Sequence, residues 1–137
     1  MKITLQRQGE AIHFEGRNDR GDSVTYGTSV ENGGRWEGVS PMQSMLMALA
    51  ACSGIDILMI LKKMRQPVDL FEASVEADRE QDKVPALFTA IRVHYALTGD
   101  LDVDRVRRAI RLSLDVYCSV AKMLEKTAPI TSTFSVN

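Results

Sequence analysis

The hydrophobic pattern of the chain changes twice, and each change predicts a different kind of element. In the first third, short runs of strand-forming residues alternate with turn residues. These runs predict three strands, at residues 3–5, 11–14 and 23–26. The stretch that follows, residues 31–38, holds three of the nine glycines and predicts a loop of low intrinsic order, a feature that often borders a site.

The middle of the chain predicts one long helix. Ser40 can cap its free N–H groups, and Pro41 is tolerated at the first helical position. Pro67 disfavours helical geometry in the residue before it, so the helix should run to about Arg65. It is apolar on every side through its middle, which predicts a central helix wrapped by protein. At about 24 residues it is about 36 Å long, more than a domain with a radius of gyration of about 14 Å easily encloses, so we expect a partner subunit to cover it.

The last part of the chain contains both strand patterns and helix patterns. Period-2 alternation at residues 68–79 and 86–97 predicts an antiparallel strand pair. Asp102 can cap a second, amphipathic helix, a short helical stretch reaches about Lys126, and a final strand spans residues 130–136. The order of elements predicts an α+β fold rather than an alternating parallel one.

Composition restricts the classes of function. The 137 residues (15.2 kDa) suffice for one core, so we expect a single domain over residues 1–137. Lys+Arg number 17 against 18 Asp+Glu, a balance that disfavours nucleic-acid binding. The apolar run at residues 45–60 is interrupted and shorter than the roughly 20 residues of a bilayer helix, and the N-terminus is too polar for a secretory signal. We therefore expect a cytoplasmic protein with neither a nucleic-acid nor a membrane partner.

The candidate chemistry lies in Cys52 and Cys118, the only two cysteines. They are too few for a disulfide scaffold or for a zinc site made of paired cysteines. A free cysteine is often a small buried hydrophobe, so a structural role for both stays open. His13 and His94 lie in separate predicted strands without ligand spacing, and no Gly-rich phosphate loop occurs. We expect neither a metal nor a cofactor.

Two segments carry a resemblance to a known family. Residues 38–52, GVSPMQSMLMALAAC, are similar to the cysteine-bearing helix of the OsmC/Ohr family, the osmotically inducible proteins and organic hydroperoxide reductases. Residues 117–122, YCSVAK, resemble its second cysteine motif. Ile55-Asp56 after the first cysteine and residues 124–126 after the second resemble the YhfA-like branch.

This resemblance implies both an architecture and an activity. The architecture is an intertwined homodimer with antiparallel sheets around long central helices and two active sites at the subunit interface. The implied activity is the reduction of organic hydroperoxides. Cys52 would attack the peroxide as a thiolate and become a sulfenic acid, Cys118 would resolve it as a disulfide, and an external dithiol would reduce that disulfide.

A thiolate needs a cation nearby, because a free cysteine titrates near about 8.5. The resemblance implies an arginine in an Arg-x-Gly turn, which Arg7 matches, with Arg17 and Arg35 as rivals. It also implies a glutamate directly after the helix proline. Here Met42 and Gln43 occupy those positions, so the arginine lacks its carboxylate partner.

Asp56 lies one helical turn after Cys52, and the i, i+4 spacing places both on one face. An unpaired carboxylate there would oppose thiolate formation. We expect Asp56 to pair with an arginine or cap neighbouring backbone, or else to replace the missing glutamate. The alternative function is a non-catalytic member of the family that binds a small apolar or thiol ligand at the dimer interface. Four methionines near Cys52 either line an apolar pocket for a fatty or aromatic peroxide or are simply core: Met42, Met45, Met47 and Met59.

Overall fold

The computed structural model describes all residues 1–137 and divides them into two compact units, Met1–Met45 and Leu46–Asn137. That the chain behaves as one domain stays a prediction.

The first unit contains the three predicted strands. They are β1 (Ile3–Arg7), β2 (His13–Asn18) and β3 (Ser23–Gly27), paired antiparallel in that order. Gly16 of β2 is the only buried residue of the three strands, and the other positions are exposed or half-buried. No hydrophobic residue of this unit is buried, so the sheet carries no core of its own.

The glycine-rich loop after β3 is held by backbone hydrogen bonds. Gly34 N–H donates to the Ser29 carbonyl at 2.8 Å, and Trp36 N–H donates to the Thr28 carbonyl at 3.1 Å. A Cβ on Gly34 would lie 2.1 Å from that Thr28 oxygen, so only glycine permits this approach. The loop therefore folds back on Thr28 and Ser29, the two residues that follow β3.

Helix α1 (Pro41–Lys63) begins as predicted and ends two residues before the predicted Arg65. At its start, Gln43 N–H donates to Ser40 Oγ (3.2 Å) and Ser40 N–H donates to Gln43 Oε1 (3.0 Å), which is a capping box. At its end, Arg65 takes a left-handed conformation (φ 57°) and Gln66 N–H bonds back to the Leu61 carbonyl at 3.0 Å. The left-handed residue, not only the proline beyond it, ends the helix.

Two stripes of residues on opposite sides of α1 differ in burial. Only five of its 23 residues are buried, most of them in one stripe at i, i+4 spacing: Leu49, Ser53, Ile57 and Leu61. The opposite stripe is apolar and exposed: Met47, Ala51, Ile55 and Met59. Its own unit therefore covers one face of the helix, and the expectation that a partner subunit covers the rest stays a prediction.

The length of α1 also corrects an expectation about membranes. Its 23 residues are long and apolar enough to cross a bilayer by length and composition, although the sequence run was expected to fall short. The core helix of a non-membrane protein passes the same test.

The second unit contains a three-stranded sheet of β4 (Leu70–Arg79), β5 (Phe88–Thr98) and β6 (Ile130–Val136), in that order. β4 and β5 pair antiparallel, as predicted. β6 pairs parallel to β5, so this sheet is mixed rather than wholly antiparallel. The reason is topological, since parallel neighbours need a crossover connection and the helices between β5 and β6 provide it.

These helices are α2 (Val103–Leu112) and α3 (Ser119–Leu124), joined by a π-helical turn at Ser113–Tyr117. The Asp102 side chain caps α2 as predicted, accepting from the N–H groups of Asp104 and Arg105. All buried hydrophobic residues of the chain lie in this unit, between Leu49 and Ala128. With two sheets and three helices, the fold is α+β, as predicted.

Candidate functional site

The second unit brings together three side chains that are far apart in the sequence. Cys52 and Asp56 share one face of α1, and Cys118 lies 66 positions after Cys52, between the π-helical turn and α3. The two sulfurs and a carboxylate oxygen all lie within 4.8 Å of one another. Both cysteines are free thiols; Cys52 is half-buried, whereas Cys118 has no exposed surface. Neither histidine belongs to this cluster.

The position of Cys118 follows from the turn before it. The π-helical turn closes with a hydrogen bond from Cys118 N–H to the Ser113 carbonyl at 2.8 Å, after which the backbone is extended (φ −70°, ψ 102°). Cys118 is then the N-cap of α3, and its Sγ accepts from Ala121 N–H at 3.4 Å. This geometry fixes the sulfur beside α1.

Burial raises the pKa of the Cys118 thiol to about 11, although the hydrogen bond from Ala121 N–H acts in the opposite direction. Cys118 therefore keeps its proton near neutral pH. Because only a thiolate attacks a peroxide, the half-buried Cys52 is the candidate nucleophile of the two.

A chain of hydroxyl groups lies beside the thiols. Tyr95 of β5 donates to Ser53 Oγ at 2.7 Å, and Ser53 donates to the Leu49 carbonyl at 2.7 Å. Burial raises the pKa of Tyr95 to about 12, so the phenol stays a donor. Ser113 Oγ lies 3.2 Å from the Ser53 carbonyl and 3.4 Å from Asp56 Oδ2. These bonds fix α1, β5 and the π-helical turn against one another.

This chain of hydroxyl groups was not predicted from the sequence. The available signal was a polar residue within an apolar element, namely Ser53 in α1 and Tyr95 in β5, whereas Ser113 after the amphipathic α2 gave no such signal. A buried hydroxyl group needs a hydrogen-bond partner, so polar residues in such elements are candidates to pair with each other.

Asp56 has no cationic partner in its own unit, because no ion pair within residues 46–137 includes it. Its carboxylate has the one hydroxyl neighbour, Ser113. Within this unit, the expected arginine or backbone partner of Asp56 is not found.

The residues expected to activate Cys52 lie in the first unit. Arg7 is an exposed residue of β1 whose Nε donates to the Ala11 carbonyl at 3.1 Å. Its rival Arg17 binds both carboxylate oxygens of Glu15, at 2.8 and 3.0 Å. Gln43 is engaged in the capping box, and the first turn of α1 has no acidic residue. The role of Arg7 stays a prediction.

An open groove of about 350 Å³ adjoins the thiol cluster, because Asp56 belongs to both. Its wall is mostly apolar, with one lysine. The other lining residues are Met59, Ile60, Lys63, Met64, Leu112 and Tyr117. Of the four methionines expected to line a pocket, Met59 does so.

The chain is similar to known proteins over most of its length. A family model described as "OsmC-like protein" matches residues 32–133. Protein YhfA of Escherichia coli K12 is 46% identical over 98 residues, which are 71% of this chain and 72% of that protein.

Solved structures share the fold over almost the whole chain. A hypothetical protein from Aquifex aeolicus superposes with a TM-score of 0.86 at 27% identity, covering 99% of this chain and 95% of that one. An organic hydroperoxide resistance protein OsmC from Legionella pneumophila superposes with a TM-score of 0.73 at 15% identity, covering 99% and 98%. The family match and the YhfA similarity together show that the chain belongs to the OsmC-like family.

Proposed function

We propose that this protein is a thiol-dependent peroxidase that reduces organic hydroperoxides. One observation carries the proposal: Cys52 and Cys118, 66 positions apart, hold their sulfurs within 4.8 Å, beside a largely apolar groove. The fold is also that of proteins whose names include organic hydroperoxide resistance. We expect the protein to act in the cytoplasm as a homodimer.

The proposed reaction has two steps on the protein. The Cys52 thiolate attacks the terminal peroxide oxygen, so that an S–O bond forms, the O–O bond breaks, and an alkoxide leaves, which takes up a proton from solvent to become the alcohol. The Cys118 sulfur then attacks the Cys52 sulfenic acid, forming an S–S bond and releasing water. The sulfurs have to approach from at most 4.8 Å to about 2.05 Å for this step. An external dithiol restores both thiols by exchange.

The two thiols differ in a way that suits these roles. Cys52 is half-buried, so a substrate can reach it. Cys118 is fully buried and stays protonated, so it does not compete with Cys52 for the peroxide. In the resolving step its proton leaves with the sulfenic hydroxyl group as water. We propose Arg7 as the cation that favours the Cys52 thiolate.

A second candidate function is favoured by the start of α1. The first turn holds no carboxylate, and the Gln43 amide is engaged in the cap. A family member without that carboxylate could instead be a non-catalytic protein that binds a small apolar or thiol ligand. The groove lined by Met59 and its neighbours would then be its binding site.

Turnover of cumene hydroperoxide with dihydrolipoamide as reductant separates the two candidates. We expect wild type to consume the hydroperoxide faster than hydrogen peroxide, and Cys52→Ser to fall to the uncatalysed rate. Cys118→Ser should still consume one equivalent and accumulate a sulfenic acid that dimedone traps. Ser74→Ala, a change at an exposed position of β4 outside the thiol cluster, is the control and should keep wild-type turnover.

The binding function predicts a different result for the same samples. Wild type would then consume no hydroperoxide, and Cys52 would still titrate as a free thiol after the exposure. That result would overturn the peroxidase proposal.

A further inference from the structure

The three clustered side chains form a set of metal donors as well as a redox pair. Three atoms that lie mutually within 4.8 Å fit inside a circle with a radius of about 2.8 Å. An ion at its centre would therefore be at most about 2.8 Å from both sulfurs and the carboxylate oxygen. Zinc prefers about 2.3 Å to sulfur and about 2.0–2.2 Å to carboxylate oxygen. Each donor has to move by less than about one ångström, which rotation of its side chain supplies.

The donors are already oriented by neighbouring groups, as metal ligands usually are. Ser113 Oγ lies 3.4 Å from Asp56 Oδ2, and Ala121 N–H donates to Cys118 Sγ. Cys52 and Asp56 are one turn apart on a helix that is rigidly anchored through Ser53 to Tyr95. Two ligands on α1 and one at the start of α3 leave a fourth position open.

The charge of the cluster also calls for a cation. Asp56 is half-buried, and no Lys or Arg of its unit forms an ion pair with it. The proposed hydroperoxide reaction gives this carboxylate no task. Next to a thiolate it would be a repelling charge, whereas a bound divalent cation would offset two of the three negative charges.

We propose that Cys52, Asp56 and Cys118 of the reduced protein bind one Zn²⁺ ion, with water at the fourth tetrahedral position. Binding replaces the two thiol protons, which are released to solvent, by two zinc–sulfur bonds. Two thiolates and a carboxylate favour zinc over the oxygen-seeking magnesium and calcium ions. This site goes beyond the proposed peroxidase function and does not depend on it.

The same sulfurs cannot bind zinc and form a disulfide at once. When a hydroperoxide oxidises the dithiol, the two sulfurs give up two electrons and join, the hydroperoxide becomes an alcohol and water, and the ion loses two ligands. Zinc would thus protect the thiols, and their oxidation would release it. Only this consequence relies on the proposed function.

Cobalt binding by the reduced full-length protein tests the site without any peroxide. We expect one Co²⁺ per chain, with a thiolate-to-cobalt charge-transfer band and the strong visible bands of a tetrahedral site, and displacement of Co²⁺ by Zn²⁺. Cys52→Ser and Cys118→Ala should each lose most of the charge-transfer band. Asp56→Asn should weaken zinc binding at least about tenfold in competition with a chromophoric chelator, and Ser113→Ala about tenfold.

Two controls make the result specific. Asp69→Asn removes an exposed carboxylate outside the cluster and should bind zinc as wild type does. Circular dichroism identifies any variant that fails to fold, and Asp56→Asn, at a half-buried position, keeps the test available if Cys118→Ala does fail. The absence of a thiolate-to-cobalt band in wild type would overturn the proposal, and so would unchanged zinc affinity in Asp56→Asn.

Discussion

Helix α1 has two faces that look alike in sequence and differ in the structure. One stripe, Leu49–Ser53–Ile57–Leu61, is buried against its own unit, whereas the opposite stripe, Met47–Ala51–Ile55–Met59, is exposed. Ile57 has no exposed surface, while Ile55 is 60% exposed. Each stripe consists of residues at i, i+4 spacing, and both stripes are mostly apolar.

The difference shows that the hydrophobic pattern of a sequence predicts which surfaces have to be buried but not which element or subunit buries them. The buried face is covered by the chain itself. The other face leaves large apolar side chains in water over three helical turns, which is unusual for an isolated soluble chain. A second copy of the chain is the cover that we expect, because homodimers commonly bury one patch against the same patch of the partner.

The largest effect that this comparison predicts comes from a matched pair of substitutions. Ile57→Ala should lower the free energy of unfolding by about 2–5 kcal/mol, because it removes buried methyl groups and leaves a cavity. Urea denaturation measures this loss, which should not depend on protein concentration. Ile55→Ala should cost less than about 0.5 kcal/mol in dissociated chains and more as concentration rises and copies associate. Equal costs for both at low concentration would contradict the comparison.

Much of this fold could be predicted from local patterns. The period-2 strands, the Ser40-Pro41 helix start and the Asp102 cap depend on neighbouring residues, and the structure has all of them. The parallel pairing of β6 could not be predicted in this way, because the partner of a strand is set by the path of the chain rather than by its own residues. Which face of α1 its own unit covers could not be predicted either, because both faces are apolar.

The same distinction holds for the candidate site, where local spacing predicts one contact but not the others. The i, i+4 spacing places Asp56 beside Cys52 from sequence alone, whereas the approach of Cys118 rested on a family resemblance. The π-helical turn that positions Cys118 has no recognised sequence signal here. Ser113 was missed because a serine after an amphipathic helix looks like an ordinary surface residue.

A charge placed on the exposed face of α1 tests directly whether a second copy of the chain buries that face. Ile55→Lys should raise the dissociation constant of the expected homodimer at least a hundredfold, about 2.7 kcal/mol, since each copy would bury a charge. Sedimentation equilibrium over a range of concentrations measures the change. Ser74→Lys, at an exposed position of β4, introduces the same charge outside α1 and should leave association within about threefold of wild type. Wild-type protein that sediments as a monomer at micromolar concentration would rule out the dimer.

The smallest predicted effect concerns the one polar residue of the buried stripe. Ser53→Ala removes the hydroxyl that accepts from Tyr95 at 2.7 Å, and the phenol hydrogen is then buried without a partner. An unsatisfied buried donor costs about 1–3 kcal/mol, and urea denaturation should show a loss of that size. The double variant Ser53→Ala with Tyr95→Phe removes both partners, so it should recover most of the loss. Ala51→Ser places the same hydroxyl on the exposed stripe and, in dissociated chains at low concentration, should change stability by no more than about 0.5 kcal/mol. If Ser53→Ala were as neutral as Ala51→Ser, the hydrogen bond to Tyr95 would not stabilise the buried face, and apolar packing alone would hold α1 against β5.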